Sequence, residues 1–278
     1  MRARSPLAAM CLALAFGAMA NEPALTITTA AGTMSFAPAA LLALPSATTV
    51  TISNDVAYKR EMVFQAVPMA SVLMGVAADQ SIRFVAIDGF VATLPAAPLL
   101  ARGDGAVAYL AIEATDAPWP ALKVGDPATA GPFYMVWLRP ERGAITQEQW
   151  PYQIARIEVV ASLAKRYPML VPGANLSARD PVRRGYEVFA KNCVVCHTLN
   201  LGGDATVGPD LNLPYNPTEY MRVDALRRLI RDPQSLRRWP AAKMPAFSTK
   251  AMSDRDLTDL LAYLRHMADR KTAAAAAK

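Results

Sequence analysis

The sequence is poor in the residues that form disulfides and metal sites. It contains three cysteines and two histidines in 278 residues, and Cys11 lies in an N-terminal segment that we expect to be removed. Cys193 and Cys196 therefore remain, and because both belong to one motif, structural disulfides are excluded.

Long apolar runs are also missing beyond the first twenty residues. The longest, from 62 to 78, is interrupted by Gln65, Pro68 and Gly75, so no transmembrane helix is predicted.

The two cysteines form the motif Cys193-Val194-Val195-Cys196-His197. Two thiols at this spacing, followed directly by histidine, are typical of covalent c-type haem attachment. A zinc site would need further Cys or His ligands, and a thioredoxin-like pair would open a βαβ unit that the sequence does not show. We therefore expect Cys193 and Cys196 to carry one covalent haem c and His197 to be the proximal iron ligand.

Residues 1–20 have the pattern of a secretory signal peptide. Arg2 and Arg4 precede an apolar run, which ends before the small-residue sequence Ala18-Met19-Ala20. Because the two arginines are not adjacent, the pattern indicates a Sec-type rather than a twin-arginine signal. We therefore predict a periplasmic protein.

Charge is divided unevenly along the chain. Residues 21–176 contain ten Lys and Arg against twelve Asp and Glu, a net charge of −2, whereas residues 177–278 contain seventeen against eleven, a net charge of +6. The basic excess thus accompanies the haem motif. In an exported haem protein we expect it to steer the chain toward an acidic redox partner or an anionic membrane surface, not toward nucleic acid. A solvated basic face is the alternative.

Residues 21–165 are predicted to form a β-rich α+β domain, either a sandwich or a barrel. Short runs rich in β-branched and aromatic residues alternate with Pro, Gly and Asp turns, and one helix is predicted over 69–76. The predicted strands are 26–29, 48–53, 61–67, 82–87, 107–112, 133–138 and 154–160.

Four segments in this region carry a family resemblance. Residues 66–73 (AVPMASVL), 86–95 (AIDGFVATLP), 130–136 (AGPFYMV) and 157–160 (IEVV) together resemble the molybdopterin-binding domain of the sulfite oxidase family. The resemblance implies a molybdenum ion held by a cysteine thiolate upstream of Val67-Pro68. This chain has Thr51-Ile52-Ser53-Asn54-Asp55 there and no cysteine anywhere from 21 to 192. The missing thiolate argues against a molybdopterin cofactor and favours a cofactor-free domain used for docking or ligand binding.

Four polar residues of this domain are the ones that would mark a remnant pocket: Arg83, Asp88, Arg102 and Arg139. Turn residues and solvated charges are the simpler interpretation, and none of the four is assigned a role in a site.

Residues 166–178, with two prolines and a glycine, are predicted to be an extended connector to a helical domain at 179–272. Asp180 and Pro181 give the N-cap and first position of a helix that runs to the haem motif. A second helix is predicted over 224–231, and a third from Ser253, with Asp256 in a capping box, to about residue 270. Residues 273–278 are a short Ala-rich tail.

This second domain resembles a class I cytochrome c. Gly185, Phe189 and Tyr263 match the residues at which the family's first and last helices cross closely, and Gly208-Pro209 matches its loop after the haem motif. The resemblance implies an all-α fold in which the Pro209 carbonyl accepts a hydrogen bond from His197. Such a bond would orient the ring and strengthen it as a ligand.

The second axial ligand has four candidates. Met244 lies 47 residues beyond His197 in the sequence Lys243-Met244-Pro245, directly before the last helix as in the family. Met221, Met252 and His266 are the alternatives. With His197 and Met244 both bound, the iron would have a raised reduction potential and no open position for a substrate. Trp239 and the cations at 237, 238 and 243 are candidates to meet the haem propionates, and exposed cations are the alternative for the last three.

The sequence therefore predicts a periplasmic one-electron carrier rather than an enzyme. Its partner would be a dehydrogenase, an oxidase or another cytochrome, and its N-terminal domain would serve docking or ligand binding. Two alternatives stay open: the haem-carrying part of a sulfite-type molybdenum oxidoreductase, and a haem-based redox sensor or assembly factor.

Overall fold

The computed structural model describes residues 23–271, and they divide into a strand-rich N-terminal part and a helical C-terminal part. The predicted signal peptide (1–20) and the predicted tail (273–278) lie outside the described residues. Within residues 23–271, no helix has both the length and the apolar character needed to cross a membrane.

Nine strands make up the two sheets of the described N-terminal part. They are β1 (Leu25–Thr29), β2 (Gly32–Phe36), β3 (Thr48–Ile52), β4 (Met62–Pro68), β5 (Ser81–Ala86), β6 (Val91–Pro95), β7 (Val107–Ile112), β8 (Phe133–Leu138) and β9 (Ile154–Val160). One sheet has the order β2-β1-β9-β5-β6 and the other β3-β4-β7-β8. All pairings are antiparallel except that of β1 with β9.

Both sheets contribute side chains to one hydrophobic core. Alternate residues of β1, such as Leu25 and Ile27, point into it, as expected for strands with one buried face. Strand β8 is buried on both faces, from Phe133 to Trp137. Short helices and 3₁₀ turns connect the strands: α1 (Pro38–Leu42), α2 (Met69–Val72), α3 (Ala96–Leu99), Pro140–Gly143 and Gln147–Gln149. A further short helix, α4 (Leu163–Arg166), follows β9.

The β-rich prediction for this domain is confirmed, with three differences. Strands β2 and β6 are not among the predicted strands. The helix predicted over 69–76 ends at Val72, because the chain turns at Leu73 and takes a left-handed conformation at Gly75.

The C-terminal part is helical, as predicted. Its helices in the described residues are α5 (Pro181–Asn192), α6 (Pro217–Tyr220), α7 (Val223–Arg231), α8 (Pro233–Leu236) and α9 (Asp254–Ala268). Asp180 caps α5 by accepting a hydrogen bond from the Val182 N–H at 2.8 Å, and Ser253 and Asp256 form the capping box of α9.

Helices α5 and α9 cross at Gly185. A Cβ atom at this position would lie 2.0 Å from the Asp259 carbonyl oxygen, so only glycine permits this approach of the two backbones. Arg184 fixes the same crossing by donating two hydrogen bonds, of 2.7 and 2.9 Å, to the Asp259 carboxylate. One turn further, the rings of Phe189 and Tyr263 pack with centroids 5.4 Å apart.

The connector is more ordered than predicted. A 3₁₀ turn spans Pro168–Leu170, and the Leu170 side chain is fully buried in the core of the helical domain. The Leu170 carbonyl accepts a 2.7 Å hydrogen bond from the buried Tyr263 hydroxyl. Burial of the apolar Leu170 side chain is favourable, so residues 168–170 of the connector pack as part of the C-terminal domain.

The two domains contact each other through the haem motif and through the loop that follows it. Val195 is buried in the core of the N-terminal domain, whereas its neighbour Val194 is buried in the core of the C-terminal domain. Farther along, the Asp204 carboxylate accepts hydrogen bonds from Arg166, from the Tyr167 hydroxyl at 2.9 Å and from the Thr93 hydroxyl at 3.1 Å.

Candidate haem site

The motif Cys193–His197 forms a tight turn at the end of α5. The Cys193 N–H bonds to the Phe189 carbonyl at 2.8 Å, and the Cys193 carbonyl accepts hydrogen bonds from the N–H groups of Cys196 and His197 at 3.0 and 2.8 Å. As a result, both thiols and the imidazole line one cavity of about 440 Å³. The other walls are mostly apolar and include Leu226, Ile230, Phe247, Leu260 and Leu264.

His197 is oriented by the residue predicted to do so. Its Nδ1 lies 2.8 Å from the Pro209 carbonyl oxygen, so Nδ1–H donates and Nε2 is the nitrogen available to a metal. Burial lowers the pKa of His197 and outweighs the opposite effect of this hydrogen bond. The imidazole is therefore held neutral, which is the form that binds iron.

A glycine makes room for the imidazole. A Cβ atom on Gly208 would lie 2.5 Å from Cε1 and 2.6 Å from Nδ1 of His197, closer than atoms in contact can approach. The loop beyond it is fixed by Asp210, whose carboxylate accepts hydrogen bonds from the Thr198 hydroxyl and from the N–H groups of Asn200, Leu201, Asn212 and Leu213, at 2.7 to 3.2 Å.

Of the four candidates for the second axial ligand, Met244 is the one that lines the cavity with His197. Met252 is 1% exposed in the core of the domain, and Met221 lines a separate groove beside α7 and α9. His266 accepts a 3.2 Å hydrogen bond from the Gly173 N–H in the connector. The loop that carries Met244 is attached to α7, because the Phe247 N–H donates to the Ile230 carbonyl at 3.1 Å.

The cavity opens at a rim that is partly apolar and partly basic. Trp239, 61% exposed, lines it together with Val207, Tyr220 and Lys243. The Arg237 guanidinium stacks on Trp239, 6.0 Å from the ring centroid. Of the predicted propionate partners, Trp239 and Lys243 thus border the cavity, whereas Arg237 contacts the outer tryptophan.

Both thiols stay protonated at neutral pH in the absence of other reactions. Burial is the main cause: it raises the pKa of Cys193 to about 12 and that of Cys196 to about 11, and the nearby Glu148 carboxylate adds to both shifts. Glu148 lines the same cavity, although it belongs to the N-terminal domain. Sequence reasoning misses it, because no local pattern links the 3₁₀ turn Gln147–Gln149 to a motif some fifty residues later.

The donor set and the cavity fit a covalently bound haem. Two thiols and a neutral imidazole come from one turn, the imidazole has its Nδ1 occupied by a carbonyl, and a thioether lines the same apolar space. Gly208 leaves room beside the imidazole that any other side chain would fill.

The four polar residues of the N-terminal domain have separate partners. Arg83 pairs with Glu158 at 2.9 Å, Arg102 donates to the Ala70 carbonyl at 3.2 Å, and the Asp88 carboxylate accepts from the Phe90 N–H at 2.9 Å. Arg139 donates to the carbonyls of Gly103, Asp104 and Gly105. The structure therefore places these four side chains in turns and ion pairs and does not bring them together.

Comparison with known families supports the assignment of the C-terminal part. Residues 182–268 match the family model described as Cytochrome c. A comparison with curated proteins finds no match for the chain. The family match covers helices α5 to α9 and includes Cys193, Cys196, His197 and Met244.

Proposed function

With a cytochrome c domain at residues 182–268, we propose that this protein is a periplasmic one-electron carrier with a single covalent haem c. The observation that carries the proposal is the placement of Cys193, Cys196, His197 and Met244 around one apolar cavity, with His197 oriented by Pro209. The periplasmic location rests on the signal-like pattern of residues 1–20.

Each residue of the site has a distinct task. Cys193 and Cys196 would hold the haem through thioether bonds, and His197 Nε2 and Met244 Sδ would bind the iron axially. When bound, the haem supplies a one-electron couple, whose potential the Met ligand raises. The apolar walls exclude water and lower the local dielectric constant. If His197 and Met244 both bind the iron, no position would be open to a substrate, which favours electron transfer over catalysis on a bound molecule.

The partner we propose is an acidic redox protein, because the net charge of residues 177–278 is +6. For the N-terminal domain we propose a cofactor-free relative of the sulfite oxidase molybdopterin domain, used for docking or ligand binding. Its two sheets around one core and the lack of cysteine from 21 to 192 support this proposal.

Axial ligation is tested by substituting the methionines in the full chain, produced in a host that attaches haem c. The wild-type ferric protein should show the weak far-red sulfur-to-iron absorption band, and Met244→Ala should lose it. Met252→Leu is the matched control, because Met252 is buried away from the cavity and the substitution nearly conserves its volume. A far-red band that persists in Met244→Ala would refute the ligand assignment.

Covalent attachment is tested on the same preparations. The wild-type chain should retain its haem after denaturation and acid extraction, whereas Cys193→Ala combined with Cys196→Ala should release it. A colourless wild-type protein from a competent host would refute the proposed function as a whole.

A further inference from the structure

Glu148 is a carboxylate that the N-terminal domain supplies to the cavity of the C-terminal domain. It lines the cavity that contains Cys193, Cys196, His197 and Met244. It also lines a second cavity of about 480 Å³ between the domains, together with Trp150, Tyr152 and Lys243. Tyr152 is 45% exposed, so this second cavity communicates with solvent.

The turn that carries Glu148 is fixed at both ends. The buried Gln149 side chain accepts a 3.1 Å hydrogen bond from the Thr146 N–H, and the indole N–H of the buried Trp137 donates a 2.7 Å hydrogen bond to the Gln149 carbonyl. On the other side, Lys191 of α5 donates a hydrogen bond to the Ala144 carbonyl. Glu148 is therefore held between the core of its own domain and the helix that leads into the haem motif.

In the part of the chain that the structure describes, no cation lies within ion-pairing distance of the Glu148 carboxylate. Burial raises the pKa of this carboxyl. The other titratable groups that line the two cavities are Asp88, Tyr152, Tyr220, Lys243, His197 and the two thiols, which would become uncharged thioethers once haem is attached. Lys191 lines neither cavity and bonds to the Ala144 carbonyl.

We propose that Glu148 couples electron transfer at the haem to proton transfer, so that reduction is accompanied by uptake of one proton on its carboxylate. This inference rests on the proposed function. The ferric haem carries one more positive charge than the ferrous haem, and a carboxylate beside it stabilises the ferric state. Once a redox partner protein has supplied one electron, that attraction would be weaker by one charge, and the Glu148 carboxylate would take a proton from solvent through the cavity between the domains.

This coupling makes the reduction potential of the haem depend on pH. At low pH Glu148 is protonated in both oxidation states and the reduction potential is high. At high pH it is charged in both states and the potential is low. Between these limits the potential falls as pH rises, at most by the slope of one proton per electron.

The test is a potentiometric titration of the full haem-loaded chain at a series of pH values. We expect Glu148→Gln to keep the high potential of the protonated wild type at every pH and to lose its pH dependence. Asp88→Asn is the matched control, because Asp88 lines the cavity between the domains but not the haem cavity. It should follow the wild-type curve. A Glu148→Gln protein with the wild-type potential and pH dependence would overturn the proposal.

A second measurement covers the case in which the substitution disturbs the cavity. Reduction in weakly buffered solution should draw protons from a pH indicator for the wild type and for Glu148→Asp, but not for Glu148→Gln. Proton uptake by Glu148→Gln equal to that of the wild type would contradict the role of Glu148. These outcomes are separate from failure of the proposed function, in which the wild-type chain itself would lack covalent haem or a reversible one-electron couple.

Discussion

At the residue scale, the position of the His197 ring depends on a hydrogen bond and on the absence of a side chain. Pro209 accepts from Nδ1, and Gly208 lets the backbone pass within van der Waals distance of the ring. These two neighbours act together, because a Cβ atom on residue 208 would overlap the same nitrogen, Nδ1, that donates to the Pro209 carbonyl. The Gly208-Pro209 pair thus sets both the tautomer and the orientation of the imidazole.

Gly208→Ala should therefore weaken the haem site. Its Cβ would overlap Cε1 and Nδ1 of His197, and relief of such a clash costs about 1–3 kcal/mol. We expect a several-fold lower yield of haem-loaded protein and a weaker far-red band, measured by absorption per mole of protein. Gly105→Ala is the control, since nothing lies within 4 Å of a Cβ at that position. Unchanged haem content in Gly208→Ala would contradict the role assigned to this glycine.

The residues of the site differ in how far the sequence predicts them. Cys193, Cys196 and His197 are adjacent in the chain, and Pro209 and Met244 stand at family-like distances from them, so sequence patterns indicate all five. Glu148 reaches the cavity only because two domains pack together, and no pattern along the chain encodes that contact. Their roles in binding and tuning haem stay predictions that the variants above test.

At the element scale, the fold of the C-terminal domain depends on how helix α9 is held. Three buried asparagines hydrogen bond to one another and donate to carbonyls near the C-terminal end of α9 and just beyond it. Asn216 donates to Leu264, Asn212 to Met267 and Asn200 to Arg270, at 2.7 to 3.0 Å. This chain of amides therefore ties the loop after the haem motif to the end of α9.

The close crossing of α5 and α9 can be tested by substituting Gly185. Gly185→Ala would place a Cβ 2.0 Å from the Asp259 carbonyl oxygen and 2.7 Å from Tyr263 Cβ, so the backbones must separate. We expect a loss of about 3 kcal/mol in the free energy of unfolding, measured by denaturant titration. Alanine favours an isolated helix by about 1 kcal/mol over glycine, which makes a loss diagnostic of the crossing. Equal stability of Gly185→Ala and Gly105→Ala would contradict the close approach.

The elements also show where sequence patterns suffice. Helices α5 and α9 begin at the predicted N-caps, because Asp180 and Ser253 satisfy backbone donors locally. Strand β2 escapes prediction because its residues are mostly exposed and lack a buried alternation. Strand β6 escapes it because Asp88-Gly89 has the composition of a break between elements. In the structure, Asp88-Gly89 lies in the turn of a hairpin that joins β5 to β6.

At the scale of the whole molecule, Asp204 joins the two domains. It lies in the loop between His197 and Gly208 and is bound by Arg166, Tyr167 and Thr93, with Arg83 at 3.7 Å. Arg83 and Thr93 are directly paired on β5 and β6, so two neighbouring strands present both side chains to the loop. The contact between the two domains therefore also restrains the loop that follows the haem motif.

Asp204→Asn should weaken this contact between the two domains. Hydrogen bonds to a partly buried charged group contribute about 1.5–3 kcal/mol, and the substitution removes the charge while keeping the shape. We expect a loss of about 2 kcal/mol at neutral pH, measured by thermal and denaturant unfolding. Asp79→Asn is the matched control, because the Asp79–Lys165 pair is exposed and 3.5 Å long and should contribute less than about 1 kcal/mol.

The pH dependence of stability shows whether the charge of Asp204 or only its shape holds the two domains together. Burial alone would raise the pKa of Asp204, but the hydrogen bonds from Arg166 and Tyr167, with the charges of Arg166 and Arg83, lower it below its ordinary value. A carboxyl with a lowered pKa contributes its full stability above the ordinary value of about 3.9 and loses it as pH falls through the lowered value. The difference between wild type and Asp204→Asn should therefore be constant near neutrality and vanish in acid. A stability difference that persists in acid would mean that Asp204→Asn disturbs packing. The ionic contacts of Asp204 would then not be what holds the two domains together.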